Sequence, residues 1–256
     1  RMLVLPEAEK TADLAGPGDV MMSMTGRPGT LKLGEDQARA ARFDYMEQAA
    51  AVRLVGDRLH PLWISSPPLG VIPGQSVTVS RRAGTGRIIG PGDITTPDKP
   101  HASNESQLPP GMRIAFGKQV DMTFATGADG RQSVRSATFD GDVRVQHPDM
   151  DLKTDRLALT MVPLDKGGSA LSAIDANGQV VLAARGASPA DKFDLSSDKM
   201  LIDLSQTAGG KTVASRLRAS GSVVTKQADG GMKAQFLDAR LAVGAEYEGR
   251  VRAEQM

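Results

Sequence analysis

The sequence predicts an all-β protein built from recurring antiparallel strands, and three observations carry that expectation. Apolar and polar residues alternate with period two in several nine-residue runs. That is the pattern of a strand with one face toward an apolar interior and the other toward water. Clusters of Gly, Pro, Asp and Asn break the chain between those runs at short intervals. No stretch sustains a helical period. Composition agrees: hydrophobic residues make up 40% of the 256 and aromatics only 4%, so the core must be aliphatic.

In chain order, the first candidate strand is Leu14-x-Gly16-x-Gly18-x-Val20-x-Met22. Residues 35–51 are rich in Ala, Gln and Arg, as a helix would be. Phe43-Asp-Tyr45 and Val52-Arg-Leu54 nevertheless alternate as strands do, and strands are expected there. Val52-x-Leu54-x-Gly56 keeps the frame until Arg58 stands where a valine is expected. Ile88-x-Gly90-x-Gly92-x-Ile94 shares with the first run the tract Gly-Pro-Gly-Asp followed by a β-branched residue. From Thr95 to Pro110 four prolines and almost no apolar residue predict a mobile insertion. It divides the chain into an N-terminal part (1–94), a linker (95–112) and a C-terminal part (113–256).

Three clear copies follow. Ala137-x-Phe139-x-Gly141-x-Val143-x-Val145 returns as Ile174-x-Ala176-x-Gly178-x-Val180-x-Leu182 and as Leu217-x-Ala219-x-Gly221-x-Val223-x-Thr225. With the upstream runs, central glycines fall at 18, 56, 92, 141, 178 and 221, which reads as a six-fold internal repeat. Each clear copy is followed by a turn and a second strand. Leu152-Lys-Thr-Asp155-Arg-Leu157-Ala-Leu159 is echoed by Leu195-Ser-Ser-Asp198-Lys-Met200-Leu-Ile202, and the apolar phase switches around the Asp, as in a strand that turns a corner. Ala234-Gln-Phe-Leu-Asp238-Ala-Arg-Leu241 matches with one extra residue, which predicts a bulge. The repeated glycine itself marks a bend or a close approach of backbones. Stacked in a row, such glycines are expected to form a smooth groove. The inward set has Phe139, Phe193, Phe236, Met122 and Met232 as its largest members. On the residues alone it is either a plain core or a lipid site.

These units resemble OstA-like repeats of the lipopolysaccharide-transport family, most closely over Ser136–Val145 and Leu152–Leu159. The likeness covers 131–245 well and the N-terminal 94 residues loosely. It implies a repeat-built antiparallel β-jelly roll, a V-shaped open sandwich holding acyl chains between its sheets. It also implies a periplasmic place in the envelope of a bacterium with an outer membrane, with any anchor in a segment outside this chain. The implied partners are lipopolysaccharide or a similar amphipathic lipid, and other envelope β-jelly-roll proteins or a second copy, joined by edge-strand pairing. The residues expected to line the trough are Phe139, Val143, Val145, Leu157, Leu159, Val180, Leu182, Phe193, Leu195, Val223 and Phe236. The chain departs from the pattern at Arg58, at Leu62-Trp63-Ile-Ser-Ser-Pro-Pro68 and in lacking a basic cluster. Arg81-Arg82 and Arg216/Arg218 come nearest to one. The rival expectation is a structural or adhesive β-repeat scaffold with a solid core.

Other classes find little support. Thirty-one Lys and Arg against 30 Asp and Glu give a net charge of +1, no footprint for nucleic acid. There is no cysteine, and no run approaches the roughly 18 apolar residues of a membrane helix. His60, His101 and His147 stand far apart, unlike metal ligands at short spacing. Gly84-Thr-Gly86 reads as a hairpin turn, and no Gly-x-Ser-x-Gly elbow occurs. A non-enzymatic protein without cofactor or metal is expected.

Overall fold

The computed structural model describes residues 2–4, 20–33, 36–66, 70–96, 109, 111–126, 132–163, 169–185, 192–206, 212–227, 230–240 and 251–252. The protein is all-β: every regular element among these residues is a strand, eighteen in number. The first nine are β1 (Met2–Val4), β2 (Val20–Leu33), β3 (Asp36–Met46), β4 (Ala51–Val55), β5 (Leu62–Ser66), β6 (Gly70–Gly74), β7 (Ser76–Ser80), β8 (Thr85–Ile89) and β9 (Gly92–Thr95). They are followed by β10 (Arg113–Phe116), β11 (Gln119–Thr126), β12 (Gln132–His147), β13 (Met150–Pro163), β14 (Ser169–Ala184), β15 (Phe193–Gln206), β16 (Thr212–Gln227), β17 (Gly230–Arg240) and β18 (Val251–Arg252).

All pairings are antiparallel, and they divide one continuous ladder into two half-sheets that share a corner. The first half-sheet runs from Met21–Thr25 of β2 through Arg42–Met46 of β3, then β4, β7, β8 and β11 to the first half of β12. The second runs from Gly29–Leu33 through Gln37–Arg39, β5 and β6 to β9, which lies alongside, then β10 and the last residues of β12. From β12 to β17 each strand contributes to both. The ladder does not close: among the described residues its last strands, β17 and β18, do not pair with its first, β1 and β2. Pairing also carries across the 95–112 segment, because β8 meets β11 and β9 meets β10.

The corner is made differently in the two parts of the chain. Upstream, strands are broken: residues 56–61, Gln75, Gly90-Pro91 and Gly117-Lys118 interrupt what would otherwise be single long strands. Backbone bonds stitch these breaks together, from Gly56 N–H to Gln75 O (2.8 Å), Gln75 N–H to Ile89 O (2.8 Å) and Gly90 N–H to Lys118 O (2.8 Å). Downstream, strands are bulged. Gly141-Asp142, Gly178-Gln179 and Gly221-Ser222 each place two left-handed residues in succession, at φ 86° and 45°, 82° and 46°, 74° and 50°. Opposite each pair stands a single residue of the next strand, Asp155, Asp198 and Gln235. Two residues against one bend a strand and strengthen its twist.

The single residue flips the pleat. In β13 Leu152 and Thr154 are buried, then Leu157, Leu159 and Met161; in β15 Leu195 and Ser197, then Met200 and Ile202. The phase switch expected around each Asp is this corner. Buried residues of both half-sheets join one aliphatic cluster, Leu157, Leu159 and Met200 from the first, Val143, Val180 and Leu195 from the second. Phe116 of the second half-sheet meets Phe139 of the first edge-on, with centroids 6.0 Å apart. The two faces are therefore closed on each other.

Several sequence expectations are corrected. The doubled left-handed bulge occurs at three of the six glycines. Gly18 lies outside the described residues, Gly56 follows β4 and opens the 56–61 loop, and Gly92 opens β9, neither with a left-handed backbone. There the turn falls at Gly90 (φ 104°) before Pro91, whose ring fixes φ and removes a donor. The strand after Gly221 has no extra residue. Gln235 takes the place of Asp155 and Asp198, so Met232, Ala234, Leu237 and Ala239 match Leu152, Thr154, Leu157 and Leu159. The glycine row is not an open groove either. A Cβ on Gly178 or Gly221 would strike the Asp155 or Asp198 carboxylate, at 2.4 and 2.2 Å, and one on Gly141 the Lys118 side chain. Of the predicted mobile insertion, 97–108 and Pro110 lie outside the described residues. Its ends are tied at Thr96, whose hydroxyl donates to Pro109 O (2.7 Å) and accepts from Met112 N–H (2.9 Å).

Candidate functional site

The apolar face that concerns a lipid is the seam where the half-sheets meet. Alternation delivers it: inward positions of β12, β14 and β16 keep one parity through the bulge, while those of β13, β15 and β17 change parity at the corner. Nine of the eleven residues expected to line a trough are in this seam. Phe139, Val143, Val145, Leu157, Leu159, Val180, Leu182, Leu195 and Val223 are each at most 3% exposed. That little exposure leaves no water-sized space beside them, so they pack on one another as a close-packed interior does.

The other two differ. Phe193, at the start of β15, is half-buried against the cluster's margin. Phe236 is a correction: it is 45% exposed and points outward. Its register partner is Ser220, and it occupies the position of Arg156 in β13 and Lys199 in β15. Gln235, and not a residue further on, takes the corner, which turns Phe236 to the polar face.

Toward the strand ends the cluster is edged by half-buried Val52, Val79, Met122, Phe124 and Leu204 on the first half-sheet. Ile64, Met150, Phe193 and Met232 do the same on the second. The Met122 and Phe124 side chains lie over Gly86, whose missing side chain makes room for them. Met122 and Met232 were read as inward from the sequence. Phe124 and Leu204 were not, although Val120-Asp-Met122-Thr-Phe124 alternates plainly; it lacks the glycine that marked the other runs. These margins, unlike the seam, combine apolar surface with access from water, and they include flexible thioethers that adapt to irregular shapes.

The outer face is an ion-pair lattice. Arg113–Asp93 (2.8 Å), Arg87–Asp121 (2.6 Å), Arg156–Asp140 (3.7 Å) and Arg218–Asp203 (2.9 Å) each link neighbouring strands. Arg216 grips Asp238 through two N–H groups, and that hydrogen bonding holds the Asp238 carboxyl below its ordinary range. Arg216 and Arg218, the nearest candidates for a phosphate, thus already face carboxylates. Arg58 sits exposed in the 56–61 loop. His147 Nδ1 accepts from Asp149 N–H (3.2 Å), His60 stands beside Asp57, and His101 lies outside the described residues. Among the described residues no three His, Asp or Glu side chains gather as metal ligands would. No helix there is long and apolar enough to cross a membrane, which says nothing of strands. No family model matches the chain, and no curated protein matches it either.

Proposed function

We propose that this protein is a non-enzymatic carrier or bridge for an amphipathic envelope lipid, lipopolysaccharide or one of similar build, in the periplasm. In this reading the kinked ladder is a jelly roll of OstA-like repeats, and the half-sheets part at their free ends to admit acyl chains. The observation that carries it is the seam: two faces of one unclosed ladder meet through apolar side chains, mostly aliphatic with Phe116 on Phe139, and the contact loosens outward into half-buried Met and Phe. Each methylene taken from water into such a seam contributes about 0.8 kcal/mol, so an acyl chain can replace the contacts it displaces. The first site of contact is then the margin, Met122, Phe124, Met150, Phe193 and Met232, and the central valines and leucines follow only on opening. End strands supply the means of joining a neighbour. Among the described residues Gly230–Ala234, Phe236 and Leu237 of β17 pair on one side only, as do Thr25 and Gly29–Leu33 of β2. Such edges accept another strand through main-chain bonds.

The rival reading, a structural or adhesive scaffold with a solid core, is favoured by one observation, the near-zero exposure of the nine seam residues. Titration of the folded protein with a fluorescent fatty acid and with purified lipopolysaccharide separates the two. Saturable binding, weakened in Phe193→Ser and Phe124→Ser with folding intact, supports the carrier. Absence of saturable binding to both ligands assigns the chain to the scaffold.

A further inference from the structure

One piece of the corner has a shape that joining strands does not require. Residues 56–61, between β4 and β5, form a compact loop: Asp57 Oδ1 accepts from the backbone N–H of Leu59 (2.8 Å) and of His60 (2.6 Å), and Asp57 N–H donates to His60 O (3.0 Å). The loop is folded hard against β5, for a Cβ on Gly56 would lie 2.3 Å from Leu62 N. This internally bonded loop holds out Leu59, which is 85% exposed. A large aliphatic side chain held in water by a rigid turn is unusual for a solvated connection, where polar residues suffice.

Leu59 borders an open groove of about 340 Å³ whose other walls are Pro28, Arg39, His60, Pro61 and Trp63. Arg39 and Trp63 are register partners across β3 and β5, and the guanidinium carbon stands 5.9 Å from the indole centroid. Arg39 also differs in charge environment from the paired arginines. On the outer face Arg87, Arg113, Arg144 and Arg218 each meet an aspartate, whereas Arg39 has no carboxylate partner among the described residues. A guanidinium resting on an aromatic face keeps N–H donors for a planar anion. Arg58, exposed on the same loop, offsets the charge of the neighbouring Asp57 carboxylate, whose oxygen is held by backbone N–H groups, which leaves Arg39 as the cation of the groove itself.

We propose that this groove docks an acidic segment of a partner protein, with a bulky apolar side chain set between Leu59 and Trp63 and a carboxylate on Arg39. Charge complementarity selects the anionic partner, and the Leu, Trp and Pro walls select an apolar anchor beside it. Trp and Arg together are the residues that most often anchor protein interfaces. A saccharide fits less well, because one face of the indole is covered by Arg39 and the walls offer few polar side chains. The groove lies at the corner on the face of β5 opposite the inward Ile64, so this inference does not rest on lipid carriage.

Trp63 is the sole tryptophan, so its emission reports the groove directly. The test titrates the folded full chain with two peptides, acetyl-Glu-Leu-Phe-Glu-amide and acetyl-Lys-Leu-Phe-Lys-amide. Expected is a saturable change with the acidic peptide at a Kd below about 1 mM, weaker by about tenfold in Arg39→Gln and in Leu59→Ser, and lessened by added salt. Both substitutions are at exposed positions and should leave the melting temperature and any fatty-acid binding unchanged. No saturable change with the acidic peptide, or an equal response to the basic one, overturns the proposal. So does an emission change that follows protein concentration alone together with dimers in sedimentation, which gives the groove to a second copy. A response to dodecylphosphocholine micelles without one to the acidic peptide overturns it as well, in favour of a lipid surface.

Discussion

Gly178 shows two separate reasons for a glycine at one position. Its φ of 82° is a region L side chains rarely adopt, and the Asp155 carboxylate stands where a Cβ would be. Gly178→Ala should therefore cost the strain of a left-handed residue, about 1–2 kcal/mol, plus the displacement of Asp155. Because the Asp155 Cβ would itself stand 2.9 Å from the new methyl, the double variant Gly178→Ala/Asp155→Gly, and not one that keeps a Cβ at 155, should recover only the second part. Chemical denaturation of the four proteins measures this as a coupling energy, and strict additivity would show that the close approach is irrelevant. Thr154 makes a complementary case beneath the same bulge. Its buried hydroxyl lies 2.8 Å from Asn177 O, 3.1 Å from Arg156 O and 3.2 Å from Gly178 O, carbonyls of residues at the bulge where the register slips. Thr154→Val keeps the shape and removes the donor, so a loss of about 1–3 kcal/mol is expected in the same experiment. Ser197 repeats the arrangement toward Lys199 O at 3.0 Å, and Ala234 at the third corner has no hydroxyl to give.

At the scale of the strand, β17 departs from its counterparts in a way that stability can read. Phe236 stands outward where β13 and β15 carry Arg156 and Lys199. Phe236→Lys should thus leave the melting temperature and lipid binding unchanged; a loss of several degrees would mean that Phe236 packs inward after all. The neighbouring Arg216–Asp238 pair predicts a direction with pH. Bonding to Arg216 lowers the Asp238 carboxyl, so its contribution is present above the unfolded carboxylate range and is lost as pH falls through the lowered value. An NMR titration of the Asp238 side chain should show that lowering, and Arg216→Gln should remove its largest cause and reduce it, with Arg218 and Arg240 still nearby.

These strands also mark what was legible beforehand. Alternation identified β12 to β16 and the Asp identified the corner, because each copy spends the same residue types on the same geometry. Phe236 was misread since Gln235 replaces the Asp, and aligning on the next aspartate, Asp238, imposed a false extra residue. The upstream corner left no common signal: a six-residue loop, Gln75, Gly90-Pro91 and Gly117-Lys118 solve one geometric problem in four ways. The groove was invisible as such, for Arg39 and Trp63 are neighbours only through the β3–β5 register.

For the whole molecule, the decisive quantity is how exposure is distributed across the seam. A carrier needs a margin that tolerates change and a centre that holds the fold; a scaffold needs only the centre. Val143, fully buried, and Phe193, half-buried at the end of β15, sit at those two extremes on the same half-sheet. Val143→Asp buries a carboxyl whose pKa would rise by three or more units, a cost of about 4 kcal/mol at neutral pH, which takes most of the stability of a domain at the low end of the ordinary range. Phe193→Asp can turn its carboxylate to water and should stay folded at a cost of about 1–2 kcal/mol of lost apolar burial. If the seam opens to lipid, Phe193→Asp should keep the native circular dichroism spectrum and lose fatty-acid binding. A folded Phe193→Asp that binds the fatty acid as tightly as the parent would place the lipid elsewhere. The two half-sheets would then be a permanent core, held shut at one corner by glycines that have no transport to serve.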